Sequence, residues 1–518
     1  MPTGRSSTER LLRRTAEARR SAADLRHLVA FRAASVRGRG RRGALTGLAV
    51  VVLLTVVSAV LPALLDLDRW VSAAEVAALL PGAYLGVLVL STVSASVSGG
   101  GRELLPRDQG TAFPVSPTTD HLGALLMAPL NIAWLLQSWT VLAATAYVAG
   151  PDRLAAAQLP VLLWLGAATA LAQVVAWGIE WVRRGPHGRL LVRLAGLAVA
   201  AGVLTLAATF GLPDPAGPLS TRGVLVTVLH GAGARWGPWT LGLVLLALLT
   251  TVAIGVGARL AHALARRPVR EESRLETAAH PARAFPRSDL AAVLRLDRAG
   301  VRRSLPMRRG FAVLAVLPGV VAVAAGLDWA SVVVLPALVV SGGALLFGVN
   351  AWSLDGRGAL WRESLPVAPR LAFVARLLVL AEMLLVSAVL VVALAAVRAG
   401  LPTVVEAASL AAATAVAVLQ VLSGSLRWSV RRPFAVDLRS ARATPAPPVV
   451  MVGYSTRLAV VTTFTALVFV AASQAPSWRW PVLLAVPFLL VSALRIGRTA
   501  RVWDGAAERS RVVTTVAG

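Results

Sequence analysis

Residues 43 to 65 carry no charged side chain, and the same pattern, broken at most by one or two charges, recurs eleven more times along the chain. A soluble protein has no use for blocks of this length, because a helix on the surface of a core must keep a polar face towards water. A helix that crosses the hydrocarbon of a bilayer needs about 20 mostly apolar residues, at a rise of about 1.5 Å per residue over roughly 30 Å. Twelve segments meet that need, near 43 to 65, 76 to 98, 122 to 148, 158 to 179, 190 to 211, 238 to 262, 310 to 326, 331 to 350, 371 to 397, 403 to 424, 457 to 473 and 480 to 496. They are continuously apolar and lack the period-two alternation of a barrel strand. The sequence therefore predicts an all-α, polytopic integral membrane protein with about twelve transmembrane helices.

Charge then sets orientation. The formal net charge is +27, and all 52 basic residues are Arg. Such a balance also suits nucleic-acid binding, so the distribution has to decide. With the N-terminus in the cytoplasm, the Arg-rich connections fall on the inner side and the Arg-poor ones outside. This is the positive-inside bias; it places both termini in the cytoplasm, faces the basic loops to an anionic inner leaflet and leaves no role for nucleic acid. The first apolar block is too long for a removable signal peptide and lacks a small-residue cleavage site, so it is expected to stay as an anchor. Exclusive use of Arg with abundant Ala, Val, Gly and Leu reflects GC-rich coding and points to a bacterial plasma membrane.

Several chemistries are excluded by composition. With no Cys, there are no disulfides, thiolate metal sites or Cys nucleophiles. With no Lys, there is no Walker A phosphate loop and no Schiff-base chemistry. His27, His121, His187, His230, His262 and His280 form no metal-binding spacing and read as scattered interfacial residues. No catalytic residue, metal or cofactor is expected on this chain. The pair Asp66 and Asp68 resembles the outward acidic motif of membrane glycosyltransferases that use lipid-linked sugars, but the outer connection here is short.

The chain divides into a basic amphipathic segment (1 to 42), a first six-helix half (43 to 262), an Arg- and Pro-rich linker (263 to 309), a second six-helix half (310 to 496) and a tail (497 to 518). An amphipathic basic stretch precedes each half. The second, "LDRAGVRR" at 296 to 303, superficially resembles a loop of major facilitator transporters but precedes the seventh span, and it reads as a basic amphipathic segment. Since six is even, the halves form a parallel repeat. Each half carries Pro-Val-x-Pro between its second and third spans: Pro114, Val115 and Pro117, then Pro366, Val367 and Pro369. Paired Pro stiffen such a loop, and Pro also suits the first turn of a following helix.

Polar residues inside the spans are candidates for a translocation pathway or for interhelix hydrogen bonds: Asn131, Gln137, Gln173, Arg376, Glu382, Glu406 and Gln420. Arg376 lies near a span end, where it can snorkel to the interface. Glu382 lies about three helical turns inside and is expected to be neutral or paired.

The fuller loop, residues 347 to 379, contains Asn350, Asp355 and Gly358 in an N-x-x-x-x-D-x-x-G arrangement, followed by Leu365, Pro366 and Arg370 as L-P-x-x-x-R. In this it resembles permease subunits of type-2 ABC exporters. The loop at 96 to 128 keeps Glu103, Pro114 and Pro117 but lacks the Asn. The resemblance implies paired six-span units, an amphipathic helix before each, a loop between spans two and three that touches a separate ABC ATPase present in two copies, and ATP and Mg bound on that partner. Short outer helices between spans five and six have a counterpart at 212 to 237 but none in the second half. It further implies that Glu103, Pro114, Pro117, Asn350, Asp355, Arg357, Trp361, Arg362, Glu363, Pro366 and Pro369 face the ATPase. A twelve-helix secondary transporter, driven by an ion gradient through Glu382 and Glu406, is the competing expectation.

Overall fold

The computed structural model describes residues 20–31, 39–65, 72–97, 115–130, 132–209, 220–267, 284, 286–435 and 448–518. Asp66, Asp68, Glu103, Pro114 and Asn131 lie outside these residues. Helices make up the structure, and no strand occurs among the described residues. In chain order they are α1 (20–31), α2 (Arg39–Val60), α3 (Ala73–Val97), α4 (Pro117–Leu126), α5 (Ile132–Ala149), α6 (Leu154–Arg183), α7 (Gly188–Thr209), α8 (Thr221–Ala232) and α9 (Trp236–Ala265). They continue as α10 (Asp289–Arg303), α11 (Leu305–Ala325), α12 (Trp329–Val332), α13 (Val334–Phe347), α14 (Ala359–Glu363), α15 (Pro369–Ala399), α16 (Val404–Arg431), α17 (Pro448–Ala472), α18 (Arg479–Asp504) and α19 (Ala506–Ala517).

Among the described residues, nine helical segments are long and apolar enough to cross a membrane, or ten when α10 and α11, bent by 82°, are taken as one broken span. The protein is an all-helical, multi-pass membrane protein. The segment expected as one span over 122 to 148 is interrupted: α4 ends at Leu126, a short 3-10 turn covers Ala128–Leu130, and α5 restarts at Ile132. Pro129 lies in that turn; it lacks an N–H and disfavours helical backbone in the residue before it. The segment expected over 190 to 211 lies in α7, where Leu190–Val199 forms the shorter apolar stretch.

The chain forms two compact units, Met1–Val192 with Asp214–Arg270, and Arg193–Pro213 with Glu271–Gly518. In the first, α6 is the central helix. Its Val161, Trp164 and Leu165 pack with Leu80 and Tyr84 of α3 and with Val224 and Val228 of α8. Two buried polar side chains inside this packing donate to backbone carbonyls, which offsets the cost of withdrawing their N–H groups from water. Trp164 donates to the Tyr84 carbonyl at 3.1 Å, and Gln158 donates to the Ala59 and Leu142 carbonyls.

Helix α4 shows why Pro117 stands where it does. Ser116 caps the helix by accepting from the Thr119 N–H, and Pro117 occupies its first turn, where a missing N–H costs nothing. His121, one turn on, is not interfacial as its type suggests. It is fully buried, accepts from Trp177 at Nδ1 (3.1 Å), and lies so close to Gly257 of α9 that a Cβ there would meet its ring at 2.4 Å. Gly257 thus lets α9 close onto α4.

The second unit has a larger core, in which Phe311, Val340, Phe347, Val379, Leu384, Leu422 and Leu458 from five helices meet. At Gly348 the backbone passes the Tyr454 hydroxyl so closely that an added Cβ would sit 2.1 Å from it, so only glycine fits. This crossing fixes the start of the loop that carries most of the candidate site.

Candidate functional site

The loop from Asn350 to Ala368 is not floppy. Two 3-10 turns, Ala351–Leu354 and Gly356–Gly358, lead into α14, and Gly356 supplies the positive φ (49°) that joins the turns. Asn350 is buried and donates to the Phe434 carbonyl at 2.6 Å; the Ala351 N–H donates to the Ser429 hydroxyl. Pro366 is exposed in the turn that follows α14, and Pro369 opens α15 in the same first-turn position that Pro117 holds in α4. The shared Pro-Val-x-Pro element therefore ends, in both loops, on a helix start.

Behind α14 lies a cluster of four charges drawn from distant parts of the chain. Asp297 of α10 accepts from Arg362 of α14 (2.6 and 3.3 Å) and from Arg376 of α15 (both 3.1 Å). Asp355, between the two 3-10 turns, accepts from the same two guanidiniums at 2.9 and 2.8 Å. Arg376 also donates to the Ala351 carbonyl, and Arg362 to the Ala372 carbonyl. Two cations meet two anions, so the cluster is neutral as a whole, which is the condition for burying charge at acceptable cost. Arg376 does not snorkel: its side chain is 0% exposed and enclosed by its partners. Burial pushes the Asp297 carboxyl up, but Arg376 and Arg362 outweigh it and hold the group below the ordinary carboxylate range.

Aromatic side chains close the cluster on its other side. The Arg376 guanidinium lies 5.1 Å from the centre of the Trp352 ring, and Trp352 stacks in parallel on Trp503 at 3.9 Å. Trp503, at the end of α18, donates to the Pro369 carbonyl. The chain then turns back as α19, whose Val512, Val513 and Val516 are buried and whose Arg509 pairs with Glu363 at 2.6 Å. Arg511 donates to the Val430 carbonyl. A cavity of about 250 Å³ remains between these elements, bordered by Val293, Trp352, Arg362, Leu365 and Val513. The outward surface of α14 is the reverse: Trp361 is 59% exposed and Leu360 is exposed beside it, with Arg357 and Pro366.

The structure thus brings together Asn350, Asp355, Arg362, Glu363, Pro369 and Arg376 with Asp297, Trp503 and Arg509, which no spacing in the sequence joins to them. A sign of Asp297 was present, since Val293, Asp297 and Val301 follow each other at helical spacing and put one acid on the apolar face of α10. The other intramembrane candidates are scattered. Gln420 of α16 accepts from Thr465 of α17 at 2.8 Å, an interhelix bond. Gln137 of α5 is partly buried, and its side-chain oxygen has no partner. Glu406 is partly exposed and forms a reciprocal capping box with Thr403 at the start of α16. Glu382 pairs with Arg298 of α10 at 2.8 Å.

No protein-family model, curated protein or solved structure matches this chain.

Helix α19 acts on this assembly from outside. Three buried valines contribute about 1.5–3 kcal/mol each when fully withdrawn from water. Removing Ala506–Gly518 is therefore expected to expose Leu365 and Val367 and to make the loop cleavable by trypsin at Arg357 and Arg362, at least tenfold faster than in the full chain. Limited proteolysis in detergent checks this; equal cleavage rates would show that the loop is held without α19.

Proposed function

We propose that this chain is the membrane-spanning permease of an ATP-driven exporter, served by a separate ATPase that carries the hydrolytic site. One observation supports this above the rest. A short helix with an exposed Trp and Leu on its outer surface is braced from behind by a buried ion-pair cluster that reaches two other helices. Force applied at Trp361 would pass through Arg362 to Asp297 on α10, and through Asp355 and Arg376 to α15, a helix long enough to span. A brace made of charge-assisted, partly bidentate hydrogen bonds transmits displacement better than a solvated loop. Hydrolysis cannot be housed here in the usual way, since a chain without Lys has no Walker A loop.

A gradient-driven carrier built on Glu382 and Glu406 has less support. Glu406 serves as a helix cap, and Glu382 is held by Arg298 on a half-exposed surface. The experiment that separates the two readings is purification of the tagged chain from native membranes in mild detergent. A stoichiometric Walker A partner with vanadate-sensitive ATP hydrolysis is expected. A chain that comes through alone and inert towards ATP would reject the reading.

A further inference from the structure

Helix α10 has two distinct faces. Val293, Asp297 and Val301 are buried against the cluster described above, while Arg295, Arg298, Arg302 and Arg303 are exposed on the remainder. The axis turns by 82° between α10 and the apolar α11. If α11 crosses the bilayer, α10 lies along its surface, with its arginines at the level of the headgroups. Beside them is an open cleft of about 510 Å³, lined by those four arginines with Leu294 and Ala299 at its apolar side. One wall is held by Arg295, which donates to the Ala284 carbonyl at 2.9 Å. A single water needs only about 10–15 Å³ of such space, so the cleft has room for a polyatomic headgroup.

Among the described residues, one carboxylate reaches these four guanidiniums: Glu382, paired with Arg298. Asp297 is turned to the opposite face and already shared by Arg362 and Arg376. The cleft therefore carries an excess of positive charge in the planar, forked form that suits phosphate oxygens. Glu382 also marks where the ligand continues. It stands on α15 in a row with Leu378, Leu385 and Val389, at helical spacing, and all three apolar side chains are exposed. A ligand with an anionic phosphate in the cleft and a hydrocarbon chain along this row would satisfy both surfaces at once.

We infer that the arginine face of α10 and the adjoining row on α15 form a binding site for an anionic phospholipid, with the headgroup phosphate held by Arg295, Arg302 and Arg303. Arg298 and Glu382 fix the helix against α15 at that level. Free phosphate shares the headgroup chemistry but has nothing to lay along Leu378, Leu385 and Val389. The site needs no partner protein and stands independently of the permease reading.

The test uses the full chain purified in mild detergent, incubated with phosphatidylglycerol or with phosphatidylcholine and read by native mass spectrometry. Retention of phosphatidylglycerol at least tenfold above phosphatidylcholine is expected, with no displacement by millimolar inorganic phosphate. R295Q/R302Q should lose that preference, while R287Q, an exposed Arg outside the cleft, should keep it. Equal retention of the two lipids by the unmodified chain would overturn the site, and that comparison does not depend on any variant folding. Unchanged selectivity in R295Q/R302Q would also overturn it, as would displacement by inorganic phosphate, which would assign the cleft to the free anion.

Discussion

Replacing Arg376 by Ala is expected to destabilise the second unit by about 3–5 kcal/mol, the range found when one partner of a buried ion pair is removed. The four-charge cluster then holds two carboxylates and one guanidinium. Asp297, buried on α10, keeps only Arg362, and the Ala351 carbonyl loses its donor. The Trp352 ring also loses the cation above it. If this loss comes from unbalanced charge, it should be repaired by removing the matching carboxylate. The double variant D297L/R376M leaves Arg362 with Asp355, one charge of each sign, and fills the vacated space with apolar atoms. It is expected to recover most of the stability, because apolar replacement of a whole buried pair is often neutral. A double-mutant cycle followed by unfolding in detergent measures the coupling. Additive losses would mean that the side chains matter by volume alone. The cluster also predicts a sign for pH. Asp297 sits below its unfolded value of about 3.9, so its contribution is complete above that pH and is lost as pH falls through the lower folded value.

The parts of this fold legible in sequence are those governed by short-range rules. Continuous apolar blocks give spanning helices because a bilayer leaves the backbone no alternative. Pro117 and Pro369 mark helix starts because first-turn geometry is local. Glu406 was equally legible: Thr403-x-x-Glu406 is a capping signature, and its carboxylate bonds to the Thr403 N–H and hydroxyl rather than lining a path. Pro129 likewise signals the break between α4 and α5.

What the sequence conceals is pairing across long separations. Asp297 and Arg376 lie 79 positions apart, and Arg509 and Glu363 lie 146 apart. No periodicity links them, so Arg376 looks like a residue near a span end and Asp297 like one acid in a basic helix. Burial of Arg376 becomes intelligible only when three elements converge on it with two carboxylates and a carbonyl. The same holds for Trp352 and Trp503, whose stacking joins the loop to the last spanning helix. The candidate site is thus composed of residues with local signals and braced by residues with none.

If the chain is the proposed permease, Trp361→Ala is expected to weaken association with the proposed ATPase by about 2 kcal/mol or more, roughly 30-fold in affinity, with stability changed by less than about 0.5 kcal/mol. These two expectations pull apart because the side chain is 59% exposed and makes none of the bonds that hold α14 in place. Single exposed apolar residues are ordinary on protein surfaces. Trp361 differs in its setting: it stands beside exposed Leu360 on a five-residue helix whose other side is held by Arg362 and Glu363. A Trp on a rigid mount loses little conformational freedom when a partner covers it, which is why such residues dominate interface energetics. Arg362→Ala should behave differently. It leaves the Trp361 side chain intact but removes its backing, so stability and ATP-driven transport should fall together. Measuring co-purified ATPase and unfolding midpoint for both variants separates the docking side chain from the brace. If Trp361→Ala retains its ATPase and its hydrolysis rate, the outer surface of α14 is not where the partner pushes, and the ion-pair cluster is a structural tie alone.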